Sequence, residues 1–78
     1  MKIVKVLGPG CKRCQTTEDM VKAAARSLGV EVRIEKITDF AEIARFGILA
    51  TPGVVIDDKV VHSGGLPKEE DLMHWLQR

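Results

Sequence analysis

The chain has 78 residues, with 12 Lys and Arg against 11 Asp and Glu, a net charge of +1. A balance so near neutral argues against nucleic acid or an anionic membrane as partner, and no apolar run nears the ~18 residues that span a bilayer. A chain this short buries about 60 % of its unfolded surface in one thin core, so a single domain over residues 1–78 is expected.

Ile3 to Leu7 is an apolar run broken only by Lys5, and Gly8-Pro9-Gly10 ends it. It reads as a mostly buried strand followed by a loop. Lys2 and Lys5 also interrupt it too much for a secretory leader, so the expected location is the cytoplasm. Cys14, Met20, Val21, Ala24, Ala25 and Leu28 then recur at helical spacing, and Gly29 supplies a left-handed stop, which predicts a helix over 12–28. Val30, Val32 and Ile34 alternate with Glu31, Arg33 and Glu35, the pattern of a half-exposed edge strand. Strand, helix and strand form a right-handed crossover, so the two strands should be parallel.

Asp39 followed by Glu42 marks a second helix start, with Phe40, Ile43 and Ala44 as its apolar stripe and Gly47 as its end. After the break at Ala50-Thr51-Pro52-Gly53, Val54-Val55-Ile56 and Val60-Val61 flank Asp57-Asp58-Lys59 as a hairpin. Ser63-Gly64-Gly65 ends it. Pro67 suits the first position of a last helix, Glu69, Glu70 and Asp71 favour its positive end, and Leu72, Trp75 and Leu76 give it a core face. The predicted order is βαβαββα, an α/β fold.

Cys11 and Cys14 are the only cysteines. They fall at a strand-to-helix junction, where unpaired N–H groups and the helix dipole stabilise a thiolate, the nucleophilic form of cysteine. Lys12 and Arg13 add positive charge in the same turn, and no acid follows until Glu18. Cys11 at the tip suits an attacking thiol, and Cys14, one turn in, a sheltered resolving thiol. Redox chemistry is the leading reading, with a metal-ligand pair as the alternative. Thr51-Pro52 is the second feature. A cis bond there would turn the following backbone outward so that a substrate chain could pair with Thr51, and a plain trans turn is equally compatible with its position. His62 and His74 read as surface or hairpin residues, and Trp75 as a core anchor.

Cys11-Lys12-Arg13-Cys14 after a first strand, Thr51-Pro52 opening a hairpin, Gly64-Gly65 closing it and a final helix together resemble the thioredoxin/glutaredoxin superfamily, in particular its small redox-active disulfide proteins. The resemblance covers essentially the whole chain. It implies a thioredoxin-like fold, a four-stranded mixed sheet with central parallel strands and helices on both faces, and a cis Pro52 beside the cysteines. It also implies that Cys11 attacks a partner's disulfide and that Cys14 resolves the mixed disulfide. Thr51 and Pro52 then bind substrate, and Lys12 and Arg13 tune the thiol. The implied protein is a cytoplasmic monomer without cofactor or bound metal, acting on protein disulfides and recharged by a thioredoxin-reductase-like protein or by glutathione.

The chain departs from both branches of that superfamily. The Trp before the first cysteine and the Gly-Pro between the pair, usual in thioredoxins, are replaced by Gly10 and Lys12-Arg13, and their buried strand acid is replaced by Lys5. The acidic pair that follows the glycines in glutaredoxins is replaced by Leu66-Pro67. The functions left standing are a dithiol–disulfide oxidoreductase, a glutathione-dependent glutaredoxin, and a soft-metal carrier for Cu or Zn, whose expected order would end in a strand.

Overall fold

Strand β1, Lys2–Leu7, is the frame of the sheet in the computed structural model, which describes residues 2–10, 12–48 and 50–77. It pairs in parallel with β2, Val32–Ile37, on one side and antiparallel with β3, Gly53–Ile56, on the other. β4, Lys59–Ser63, continues from β3 as a hairpin, so the sheet order is β2-β1-β3-β4. Helices α1, Lys12–Leu28, α2, Phe40–Arg45, and α3, Glu69–Gln77, complete the expected βαβαββα order.

The central pair differs from the expected sheet: β1 and β3 are antiparallel, and the parallel pair lies at the β2 edge. Ile37 and Gly53 both pair with Leu7, so β2 stops and β3 starts at the same end of β1. With six residues, α2 spans only about 9 Å. It carries the chain across that end without returning it to the other, and β3 must run back.

Alternation along β1 divides the core. Val4, Val54 and Ile56 face α1 and α3, where Val21, Ala24, Ala25, Leu72 and Leu76 close over them. Leu7 and Val55 face the other way, toward Ile43 of α2 and Ile48. Trp75 packs on the rim of the first cluster with its ring 6.1 Å from that of His62.

Three local expectations shift. Val30 belongs to the cap of α1, not to β2: its N–H donates to the Ala25 carbonyl at 3.0 Å and that of Gly29 to Arg26 at 3.2 Å, with Gly29 at φ +69°. That double bond is a Schellman end, and it delays the strand by two residues. In α2 only Ile43 is buried, Phe40 being 70 % exposed and Ala44 exposed, because fewer than two turns can dip a single residue into the core. Pro67 lies before α3: Leu72 N–H donates to Lys68 O at 3.0 Å, which makes Lys68 the capping residue.

The hairpin turn is two residues long, since Lys59 already pairs with Ile56. Asp57 and Asp58 both take positive φ, +49° and +67°, as a type I′ turn demands. Asp57 has compensation, because its Oδ1 accepts from Ile3 N–H at 3.1 Å. Among the described residues Asp58 has only an ion pair with Lys5, at 3.6 Å from an almost fully exposed carboxylate. Asp58→Gly should therefore raise the melting temperature by a few degrees, relieving a left-handed cost of about 1 kcal/mol. Asp57→Gly should not, because it loses the Ile3 bond. Thermal unfolding of the two variants side by side checks this.

Candidate active site

The register of β1 assembles one end of the molecule. Gly8 follows Leu7, Thr38 follows Ile37 and Pro52 precedes Gly53, so all three stand beside the start of α1. Gly8 N–H donates to Ile37 O at 2.9 Å, and Gly64 N–H donates to Pro52 O at 2.9 Å. The Thr51–Pro52 peptide bond is cis, and Pro52 is buried. The structure thus brings together Cys14, Thr51, Pro52 and the Gly64-Gly65 pair. Cys11 lies outside the described residues. Lys12 and Arg13 are exposed in the first turn of α1, which holds no acid.

Cys14 is buried, 6 % exposed, one turn into α1. Space around its sulfur is set by Gly8, where an added Cβ would collide with Cys14 Sγ and stand 3.7 Å from Thr51 Cβ. Gly8 is therefore present for room, whereas Gly10, at φ +89° with open space around it, is present for conformation.

Two residues that sequence reasoning did not assign to the site also stand here. Glu18, one turn beyond Cys14 on α1, is only 6 % exposed. Its carboxylate meets Lys36 Nζ at 3.0 Å and Lys22 Nζ at 3.3 Å. Lys36 comes from β2, opposite Val6. The Lys36 ammonium first, and Lys22 with it, hold the Glu18 carboxyl below its ordinary range, although burial pushes the other way. A cavity of about 30 Å³ lies between Cys14, Glu18, Lys36, Thr38, Gly8 and Gly10. The available signals were the four-residue spacing from Cys14 and the phase of Lys36 with Val32 and Ile34.

Lys5 lies on the opposite face from Val4 and Val6, its Nζ 5.3 Å from the Phe46 ring centre and 3.6 Å from Asp58. The His62 ring nitrogen Nε2 donates to Gly65 O at 3.0 Å, since a carbonyl only accepts. His74 is exposed on α3. Among the described residues no helix is long and apolar enough to cross a membrane.

The model of the thioredoxin domain family matches residues 2–77. A protein named thioredoxin from Methanocaldococcus jannaschii is 38 % identical over 77 residues, covering 99 % of this chain and 88 % of that one. A second thioredoxin, from Methanothermobacter thermautotrophicus, is 29 % identical over 72 residues, covering 92 % of this chain and 94 % of its own.

Two outcomes follow from this geometry. Gly8→Ala should cost about 1–3 kcal/mol by overpacking against Cys14 and slow alkylation of that thiol. Gly10→Ala should cost about 1 kcal/mol of backbone strain and leave the thiol rate unchanged. Denaturant unfolding with timed alkylation separates the two. Glu18, with its folded pKa depressed, stabilises the fold at pH values above the ordinary glutamate value of about 4.3 and loses that contribution as pH falls through the folded value. Glu18→Gln should flatten the acid limb of a stability–pH curve below about pH 4.

Proposed function

The chain belongs to the thioredoxin family and is a thiol–disulfide oxidoreductase, and we propose that Cys11 and Cys14 form its working dithiol, within one thioredoxin-like domain over residues 1–78. The Cys11 thiolate attacks one sulfur of a substrate protein's disulfide. That S–S bond breaks, a mixed disulfide forms, and the released substrate sulfur takes up a proton. Cys14 then gives up its proton and attacks the Cys11 sulfur. The Cys11–Cys14 bond forms, the mixed disulfide breaks, and the second substrate sulfur leaves and is protonated. Two electrons pass to the substrate, and the exchange itself requires no cofactor. A donor dithiol, from a thioredoxin-reductase-like protein or two glutathione molecules, returns the pair to its reduced state.

The observation that carries this reading is the environment of Cys14: a buried sulfur packed against Gly8, at the end of β1, with Thr51 on the other side of that glycine. A sheltered second thiol behind a positively charged first turn is what a resolving cysteine needs. Lys12 and Arg13 favour the thiolate at the neighbouring Cys11. Thr51 and Pro52, which stand over the same end of the sheet, receive the substrate backbone. A monomer working in the cytoplasm suits this cycle. A helix, α2, separates β2 from β3, and β3 and β4 form a hairpin, an internal order that differs from the βαββαβ order expected of small metal carriers, so the dithiol cycle is preferred to the Cu or Zn reading.

Cys11→Ser should abolish turnover, and Cys14→Ser should accumulate a covalent complex with disulfide substrates that thiol reductants dissolve. A titration in thiol/disulfide buffers, with alkylated thiols counted by mass, should show both labels disappear together at a midpoint of roughly −200 to −300 mV. A pair that stays reduced throughout, or that takes up metal and resists oxidation, would turn the assignment toward the metal carrier. Recharging by glutathione or by a thioredoxin reductase then identifies the donor.

A further inference from the structure

The Gly64-Gly65 turn belongs to the reactive end, yet the exchange steps above give it no role. Both residues take left-handed φ, +79° and +68°, and two glycines in succession have the most backbone freedom to lose. The turn is nevertheless built against the cis-proline segment. Gly53 pairs with Ser63, and the Gly64 N–H carries that ladder one step further by donating to Pro52 O at 2.9 Å. A Cβ on Gly64 would stand 3.0 Å from Ala50 Cβ. Residues 50–52 therefore rest on this turn, and the placement of the Thr51 backbone depends on it.

His62 holds the other end of the turn. Its Nε2 donates to Gly65 O at 3.0 Å, and its ring lies 6.1 Å from the Trp75 ring at an interplanar angle of 41°, within the range of tilted aromatic pairs. A bulge in the hairpin puts it there. Val60 is opposite Val55, but His62 is opposite Val54, so Val61 is the extra residue. Residues directly opposite in an antiparallel pair share a face. Without the bulge, His62 would lie two residues from Val60 on the same face, the α2 side with Val55. The bulge turns it to the α1–α3 side with Val54, where α3 presents Trp75. Bulges beside active sites re-aim side chains in this way.

We propose that His62 is a positioning residue for substrate binding: braced on Trp75, it holds Gly65 O and, through Gly64 and Pro52, keeps the Thr51 backbone set to pair with a substrate chain. The connection runs from the Trp75 ring to the His62 ring, the Gly65 carbonyl, the Gly64 N–H and the Pro52 carbonyl. His62 acts through the turn and not on the sulfurs, so it adds no bond and no proton to the exchange. The role rests on the reading of Cys11 and Cys14 as the working dithiol and of Thr51 and Pro52 as the substrate contact. The substrate class it serves is a disulfide carried on extended peptide backbone. A small disulfide without peptide groups has nothing to pair with Thr51. Loss of the tie frees two glycines whose conformation must then be fixed on binding, and that cost falls on substrate affinity, not on the rate of sulfur exchange.

The test follows oxidation of the pre-reduced protein, by alkylation and mass, with insulin as a protein disulfide and hydroxyethyl disulfide as a substrate without peptide groups. His62→Phe keeps a ring against Trp75 and removes the donor. It should raise the half-saturating insulin concentration roughly three- to tenfold, the worth of one hydrogen bond. The maximal rate with insulin and the rate with hydroxyethyl disulfide should stay unchanged. His62→Gln, whose amide nitrogen reaches about as far as Nε2, should keep the wild-type value. An unmoved half-saturation in His62→Phe, equal slowing with both disulfides, or a His62→Gln variant as weak as His62→Phe would overturn the proposal. Should His62→Phe not fold, His62→Asn, too short to reach Gly65 O, must show the same rise. Wild-type protein inert toward both disulfides overturns the dithiol reading and this one together, whereas normal wild-type exchange with an unmoved half-saturation in the variants overturns this one alone.

Discussion

Double pairing of β1 is the constraint on which the rest of this molecule depends. Leu7 is opposite Ile37 on one side and Gly53 on the other. Because hydrogen-bonded ladders fix register, three chain segments that are far apart in sequence leave the sheet at one level. Gly8, Thr38 and Pro52 are the first residues beyond that level, and α1 begins four residues after Gly8. A one-residue slip of β1 would exchange its two faces, sending Val4 and Val6 toward α2 and Lys5 into the α1–α3 core. The partition of the core and the assembly of the reactive end are therefore one and the same requirement.

The frame also explains why a lysine is tolerated in a central strand. Lys5 shares its face with Leu7 and Val55, but α2 is too short to cover the whole of that face. Its stem lies over apolar surface while the ammonium reaches the Phe46 ring and the Asp58 carboxylate. This is the usual behaviour of a long cationic side chain at the rim of a core. Neither contact is strong, since Asp58 is almost wholly exposed. The strand gains its stability from Val4, Val6 and Leu7, which are essentially buried.

Much of this was legible in the sequence because short-range physics decided it. The boundaries of α1 follow from the helical recurrence of Val21, Ala24, Ala25 and Leu28 and from Gly29, a cap that tertiary packing had no reason to override. The edge position of β2 follows from its alternation. Less legible was anything fixed by distance in space. Phe40 looks like a core residue by pattern, yet the core above α2 is filled by Ile43 and Ile48. The antiparallel entry of β3 depends on how far a six-residue helix can carry the chain, which periodicity does not encode. Among the site residues, Cys14, Thr51 and Pro52 could be named from motif and placement. Gly8 read as a turn residue, because its close approach to a sulfur six residues later exists only once the loop has folded back.

Glu18 and Lys36 show the same limit from the electrostatic side. By composition each is an ordinary surface charge, Glu18 on a helix with a lysine four residues on and Lys36 on an edge strand. The ion pair with Lys22 alone would be a local helix contact worth little. What changes its character is that β2 runs parallel beside β1 and delivers Lys36 opposite Val6, directly over the side of α1 that carries Cys14 and Glu18. Burial then makes the carboxylate dependent on its partners, since a desolvated charge without compensation is strongly unfavourable.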